Sequence, residues 1–195
     1  MKKLVLTLTV IMLCAGLASA QISKPFNVYV GGGLGMVQGD VGTLYKTGYH
    51  GVAAVGFNAA PMIQFIGKVE YHSFGSDMAP TLGIGLDGSQ RNLMFGGAAK
   101  LQPSLPAFPL KVYGLAGIGM ASVQAPDLVI VNLITSEQVT ITPPSQSKMY
   151  FEIGAGAELP AGPSLSMFAM VRYVSISQEG GGSFNYIPIT VGLKF

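Results

Sequence analysis

Cysteine is all but missing from this chain of 195 residues: Cys14 is the only one, and it lies in the first twenty positions. The rest of the chain can form no disulfide and offers no thiol nucleophile. Histidine is nearly as scarce. His50 and His72 are the whole supply, and two isolated histidines without cysteine match no metal-ligand spacing. No tryptophan is present, and only 10% of residues are charged. Long apolar runs are lacking as well. Beyond residue 20, Gly, Pro, Ser or a charged residue interrupts every segment before the roughly 18 apolar residues that a helical membrane span needs. Helical spans are therefore excluded there, although 49% of the chain is hydrophobic.

What is present first is a targeting segment. Lys2 and Lys3 form a positive start, Leu4 to Leu17 an apolar stretch, and Ala18-Ser19-Ala20 a small-residue cleavage site. Residues 1–20 are expected to be removed as a signal peptide, leaving 21–195 as one domain. Leu13, before Cys14, is not the small residue that a lipoprotein requires. Loss of Lys2 and Lys3 lowers the basic residues from 11 to 9, equal to the 9 acidic ones. A neutral chain has no global field to attract nucleic acid.

Abundant glycine (27) and proline (12) separate short alternating runs, the signature of an all-β chain. The clearest is the last, Tyr186 to Phe195. Ile187, Ile189, Val191, Leu193 and Phe195 share one face; Tyr186, Pro188, Thr190, Gly192 and Lys194 share the other. Seven further runs precede it: 26–36, 49–59, 63–74, 93–101, 110–120, 149–157 and 165–173. Each sets Phe, Leu, Ile, Val, Met or Tyr against a face of small and polar residues. Eight runs of about ten residues have the length of tilted membrane-spanning strands. Their connections alternate between long, polar loops and short turns, the last kind mostly rich in proline. Pro188 alone falls inside a run, and a closed barrel would place it at a bulge or a strand end. Tyr29-x-x-x-Gly33-Leu34-Gly35-Met36 is echoed by Tyr113-x-x-x-Gly117-Ile118-Gly119-Met120, through duplication or through convergence of two Gly-rich strands.

Alternation by itself does not separate a soluble barrel from a membranous one. Side-chain size does. The lumen of eight strands is just wide enough for side chains to fill, so the small face belongs inside and the bulky one in lipid. Tyr49, Tyr71 and Tyr173 have lipid parity at the loop ends of their runs, where an aromatic girdle belongs. The Phe ending, the eight runs and the leader resemble the small outer-membrane β-barrel superfamily that includes outer membrane proteins A and X. That resemblance covers 21–195. It implies an eight-stranded antiparallel up-and-down barrel in the outer membrane of a Gram-negative bacterium. It also implies that Ile189, Val191, Leu193 and Phe195 form the C-terminal signal read by the barrel assembly machinery. A ten-strand barrel, with 122–147 contributing a hairpin, is the alternative architecture.

Five lumen-parity residues carry the charge: Lys68, Glu70 and His72, then Glu152, then Arg172. Charges confined in a narrow interior must pair, so they are expected to form an ion-pair network that plugs the barrel or gates it. Lys100, Lys111, Glu158 and Lys194 form a second inward group, expected near the periplasmic end as solvated charges. His72-Ser73 cannot be a base–nucleophile pair, because adjacent strand residues face opposite sides. The His-x-Ser pattern of a lipid A deacylase is absent, and His50 has no carboxylate nearby in sequence. Neither Gly-rich string, 31–35 or 180–182, has the lysine and following helix of a phosphate cradle. In the longest loop, 127–134 and 138–142 are β-prone halves of a hairpin able to meet a surface partner. Arg91, at lipid parity beside the headgroups, is placed to meet lipid phosphates. The expected molecule is a monomer without cofactor or metal. Its role is structural or surface-interactive, with a narrow pore as the first alternative and a lipid A-modifying enzyme as the second. Its partners are outer-membrane lipid and lipopolysaccharide.

Overall fold

A membrane leaves no backbone group to be satisfied by water, so a spanning sheet must close on itself. The computed structural model describes residues 25–39, 42, 44–76, 84–103, 110–131, 138–178 and 181–195. Its strands follow in chain order: β1 (Phe26–Gln38), β2 (Gly48–Ala60), β3 (Ile63–Gly75), β4 (Ile84–Asp87), β5 (Ser89–Leu101), β6 (Lys111–Gln124), β7 (Asp127–Val131), β8 (Gln138–Ile141), β9 (Gln146–Pro160), β10 (Ser166–Ser177) and β11 (Ser183–Lys194). Eight of them close into an antiparallel barrel in the order β1-β11-β10-β9-β6-β5-β3-β2. The seam joins first strand to last, from Tyr29 opposite Lys194 to Gln38 opposite Asn185. Phe195 itself supplies the final rung: its N–H donates to Val28 O at 2.9 Å, and its carbonyl accepts from Val28 N–H at 3.1 Å.

The alternation in sequence becomes alternation of burial. Along β5, residues at odd positions such as Leu93, Phe95 and Leu101 are exposed, while Gln90, Asn92, Met94, Ala98 and Lys100 are buried. The apolar face looks outward on every barrel strand, the opposite of a soluble barrel. Tyr49, Tyr71 and Tyr173 are exposed toward the loop ends. At the other rim Phe26, Phe57 and Phe65 stand side by side across β1, β2 and β3, a second aromatic band that the sequence did not make evident.

Three features differ from expectation. The barrel strands run to 12–15 residues, because pairing continues past the apolar band into the loop side. At about 3.3 Å per residue and a tilt near 45°, thirteen residues climb about 30 Å, more than the ~25 Å band. Second, Pro188 sits neither at a bulge nor at an end. It is buried in mid-strand, and its pairing to β1 opposite Gly35 is unbroken. Toward β10 the ladder lapses beside Arg172 and Tyr173 and resumes in the same register, from Val171 opposite Ile189 to Val174 opposite Tyr186. A proline costs one ladder donor, and one missing rung absorbs it. Third, the ten-strand alternative does not occur. β7 and β8 pair as a hairpin, but with β4 they form a separate three-stranded sheet outside the barrel. Four residues at β4 were too short a stretch to stand out among the loop residues.

The lumen is fuller than a Gly- and Ala-rich face suggested. Glycine is there to make room for large neighbours. A Cβ on Gly31 or Gly192 would come within 3.0 or 2.6 Å of the Phe168 ring, one on Gly156 within 2.5 Å of Tyr113, and one on Gly154 within 2.6 Å of Arg172 Cγ. Each large inward side chain thus lies across a bare stretch of backbone, which allows close packing in a narrow tube.

Two outcomes follow for the fold. Gly192→Ala should lower stability by about 1–3 kcal/mol through overpacking against Phe168, measured by urea unfolding in detergent micelles. Deleting 128–142 should leave the barrel assembled, seen as heat-modifiable migration on a denaturing gel; loss of that migration would show that the small sheet is needed for closure.

Candidate functional site

The inward positions of β3, β9 and β10 bring five charged or titratable side chains to one level of the lumen. Arg172 Nη2 donates to Glu70 Oε2 at 2.9 Å, and Nη1 donates both to Glu70 Oε1 and, at 2.9 Å, to Glu152 Oε2. Lys68 Nζ donates to Glu70 Oε1 at 2.6 Å and to Glu152 Oε2 at 2.5 Å. Each cation therefore touches both carboxylates. His72 adds its Nε2 to Glu70 Oε2 at 2.9 Å. The Arg172 side chain is 1% exposed and both glutamates are fully buried. Desolvating four charges is costly, and only this dense mutual pairing offsets it.

His50 belongs to the same cluster, contrary to its isolation in sequence. It lies directly opposite His72 on β2 and β3. The two imidazoles stack with centroids 4.9 Å apart and planes 18° from parallel. Its Nε2 meets Thr190 Oγ1 at 2.8 Å, reaching across β1 where Gly33 has no side chain to block it. The sequence carried no signal for this: the turn at Pro61-Met62 pairs Ala60 with Ile63, and only the register shift between Asn58 and Ala60 brings His50 opposite His72 rather than Ser73.

Below this level lies an apolar layer built around Ile66 and Met170, with Ala54 and Phe168 on one side and Ala98 and Leu115 on the other. A cavity of about 40 Å³ remains there, room for very few waters. Above lies a larger apolar cluster that includes Phe74, Met94, Val174, Ile176, Phe184 and Tyr186. The histidine end of the network touches it directly, His72 against the Tyr186 ring at 5.0 Å.

The second inward group requires a correction. Lys100 and Glu158 are not solvated: their side chains are each 2% exposed. Glu158 is the hub of a second network, accepting from Lys100 Nζ, from Lys194 Nζ at 2.8 Å and from Gln102 Nε2 at 3.3 Å. Tyr29 donates to Gln64 Oε1 at 2.6 Å, and the Tyr113 ring lies 4.1 Å from Lys100 Nζ. These rings shut out the water that the charges were expected to meet. They are also the echoed tyrosines of β1 and β6, which lie opposite each other in the ring. Lys111 is exposed, and Lys194 is the partly exposed member, at 17% of its side chain.

For chemistry the arrangement offers little. His72 Nε2 is engaged with Glu70 rather than with Ser73. The His50–Thr190 contact has base–hydroxyl geometry, but Thr190 is fully buried beneath the upper apolar cluster. Among the described residues no group of three or more His, Cys, Asp or Glu is arranged to hold a metal. Arg91 is exposed on the outer face, as are Ile189, Val191, Leu193 and Phe195.

A family model described as the outer membrane protein beta-barrel domain matches residues 6–195. No curated protein matches the chain. Among solved structures, Neisserial surface protein A is similar at a TM-score of 0.61 and 15% identity, covering 88% of this chain and 96% of that one. A major outer membrane protein from Thermus thermophilus is similar at 0.53 and 14%, covering 88% and 99%. The attachment invasion locus protein of Yersinia pestis is similar at 0.51 and 16%, covering 87% and 97%. At these identities the likeness is one of fold.

Removing one member of the central network should be worse than removing a matched pair. Arg172→Ala leaves two buried carboxylates to share the single cation of Lys68 and should cost about 3–5 kcal/mol. Arg172→Met combined with Glu70→Gln should cost clearly less. Urea unfolding of the three proteins in micelles tests this; unchanged stability of the alanine variant would contradict a paired, inward arginine.

Proposed function

The chain belongs to the outer membrane protein beta-barrel domain family, and from that premise we propose that it is a plugged barrel with a structural or surface-interaction role. It resides in the outer membrane. The layering of the lumen is the observation that carries the reading. An ion crossing would have to shed water at the Phe74–Tyr186 cluster, pass a network whose charges already neutralise one another, and shed water again at Ile66 and Met170. Each dehydration is expensive. The role is then one of envelope integrity, or of contact through the projecting β4–β7–β8 sheet. Its edge strand β8 is exposed at all four residues and uncharged, a chemistry suited to strand addition by an extended partner.

The remaining parts of the reading fit around that. Residues 1–20, outside the described part of the chain, act as the cleaved export signal. Ile189, Val191, Leu193 and Phe195 act as the signal for the assembly machinery. The barrel works as a monomer among lipid and lipopolysaccharide, without cofactor, nucleic acid or catalysis.

One observation favours a narrow pore as the second reading: Arg172 and Lys68 each touch both Glu70 and Glu152. Shared partners allow exchange without leaving any charge alone. Residues 21–195 refolded into a planar bilayer decide between the two. A silent bilayer, with folded protein confirmed in it, is expected. Discrete openings that disappear on Glu70→Gln or Glu152→Gln would replace the plug with a gate.

A further inference from the structure

The barrel does not end flat on the side of its long connections. Parts of three of them, with the top of β5, leave a cleft of about 310 Å³ above the upper apolar cluster. That lies at the lower end of the size of small-ligand sites. Tyr45, from the β1–β2 connection, packs edge-on against Phe184, with ring centroids 5.6 Å apart at 83°. Gln90, Gln146 and Gln178 also line the cleft, and none of its described lining residues is charged. Gln90 is buried while Gln146 is exposed, so the amides run from the floor to the rim.

The walls stand without a ligand. Tyr45 is packed against the buried cluster, and next to it Lys46 N–H donates to Gly75 O at 2.8 Å. Gln178 N–H donates to Gly182 O at 2.8 Å. Pro143 and Pro144 stiffen another side, close to the Ser122–Ser145 hydroxyl contact of 2.8 Å. A preformed site has less ordering entropy to lose on binding.

The lining chemistry narrows the occupant. A phosphate, sulfate or carboxylate would find no cation among the described lining residues. An aliphatic chain would cover the amides of Gln146 and Gln178 without offering them partners, which is costly. An amide donates and accepts at once, as does a sugar hydroxyl, and an aromatic edge suits the C–H face of a sugar ring. We propose that this cleft binds one neutral hexose-type ring of a glycan. The inference rests on the surface-interaction role of the preceding reading, with the long connections outside as in outer-membrane barrels generally, and not on the plugged lumen. The ring could belong to the cell's own lipopolysaccharide core or to a glycan met at the surface.

The test uses residues 21–195 in phosphatidylcholine nanodiscs free of lipopolysaccharide, challenged with neutral glycans ending in glucose, galactose or N-acetylglucosamine and with sulfated and sialylated ones. Binding of a neutral glycan that persists in high salt is expected. Gln146→Ala and Gln178→Ala should each weaken it about tenfold, while heat-modifiable migration shows both variants folded. No neutral binding, a preference for anionic glycans that salt abolishes, or indifference to both variants would overturn the proposal. Competition by added rough lipopolysaccharide would assign the ring to the cell's own core sugars; its absence, with neutral binding intact, to an external glycan. Thiol labelling of Gln178→Cys on intact cells checks orientation separately, because the mature chain has no other cysteine.

Discussion

A lumen enclosed by eight strands has almost no spare volume, and whatever points inward must either pack or pair. That constraint organises this molecule. Large residues such as Phe168, Tyr113 and Arg172 fit because Gly31 and Gly192, Gly156 and Gly154 leave the backbone bare beneath them. The charges of the two networks fit because they find partners of opposite sign at the same level: Lys68 and Arg172 for Glu70 and Glu152, then Lys100 and Lys194 for Glu158. The glycine content and the low charge count are two sides of one packing problem.

Pairing and packing also separate into layers. From the short-turn end, a charged level around Glu158 gives way to the Ile66–Met170 layer, then to the Arg172 network with its stacked histidines, then to the aromatic cluster at Phe74 and Tyr186. An apolar layer on either side of a charge network lowers the local dielectric, which strengthens the ion pairs and raises the cost of breaking them. The barrel's rigidity and its proposed closure to ions then have one cause. The loops stand on a stiff platform, so a cleft such as the one at Tyr45 and Phe184 holds its shape, and the recognition proposed for it is separate from the lumen.

Much of this was legible in the residues. Period-two alternation with the larger side chains on one face is a local property, and it specified the eight strands, their inward and outward faces and the closing role of Phe195. Inward parity likewise marked Lys68, Glu70, His72, Glu152 and Arg172 before their distances were known. Strand ends were less legible: pairing past the apolar band follows from neighbours across the ladder, so β10 and β11 run to Ser177 and back to Ser183 where a longer loop was expected. Pro188 was misjudged for a similar reason. Whether a lost donor bends a strand depends on what its neighbours supply.

The sequence by itself determined the barrel, its membrane setting and the list of residues that enter the lumen, because side-chain direction in a strand is set by position alone. Only the tertiary structure decided who meets whom across that lumen. His50 joins His72, Tyr29 and Tyr113 exclude water from Lys100 and Glu158, and β4 joins the β7–β8 hairpin. Those meetings depend on relative height around a closed and staggered ring. Residues far apart in the chain acquire a common level only when the last strand pairs with the first.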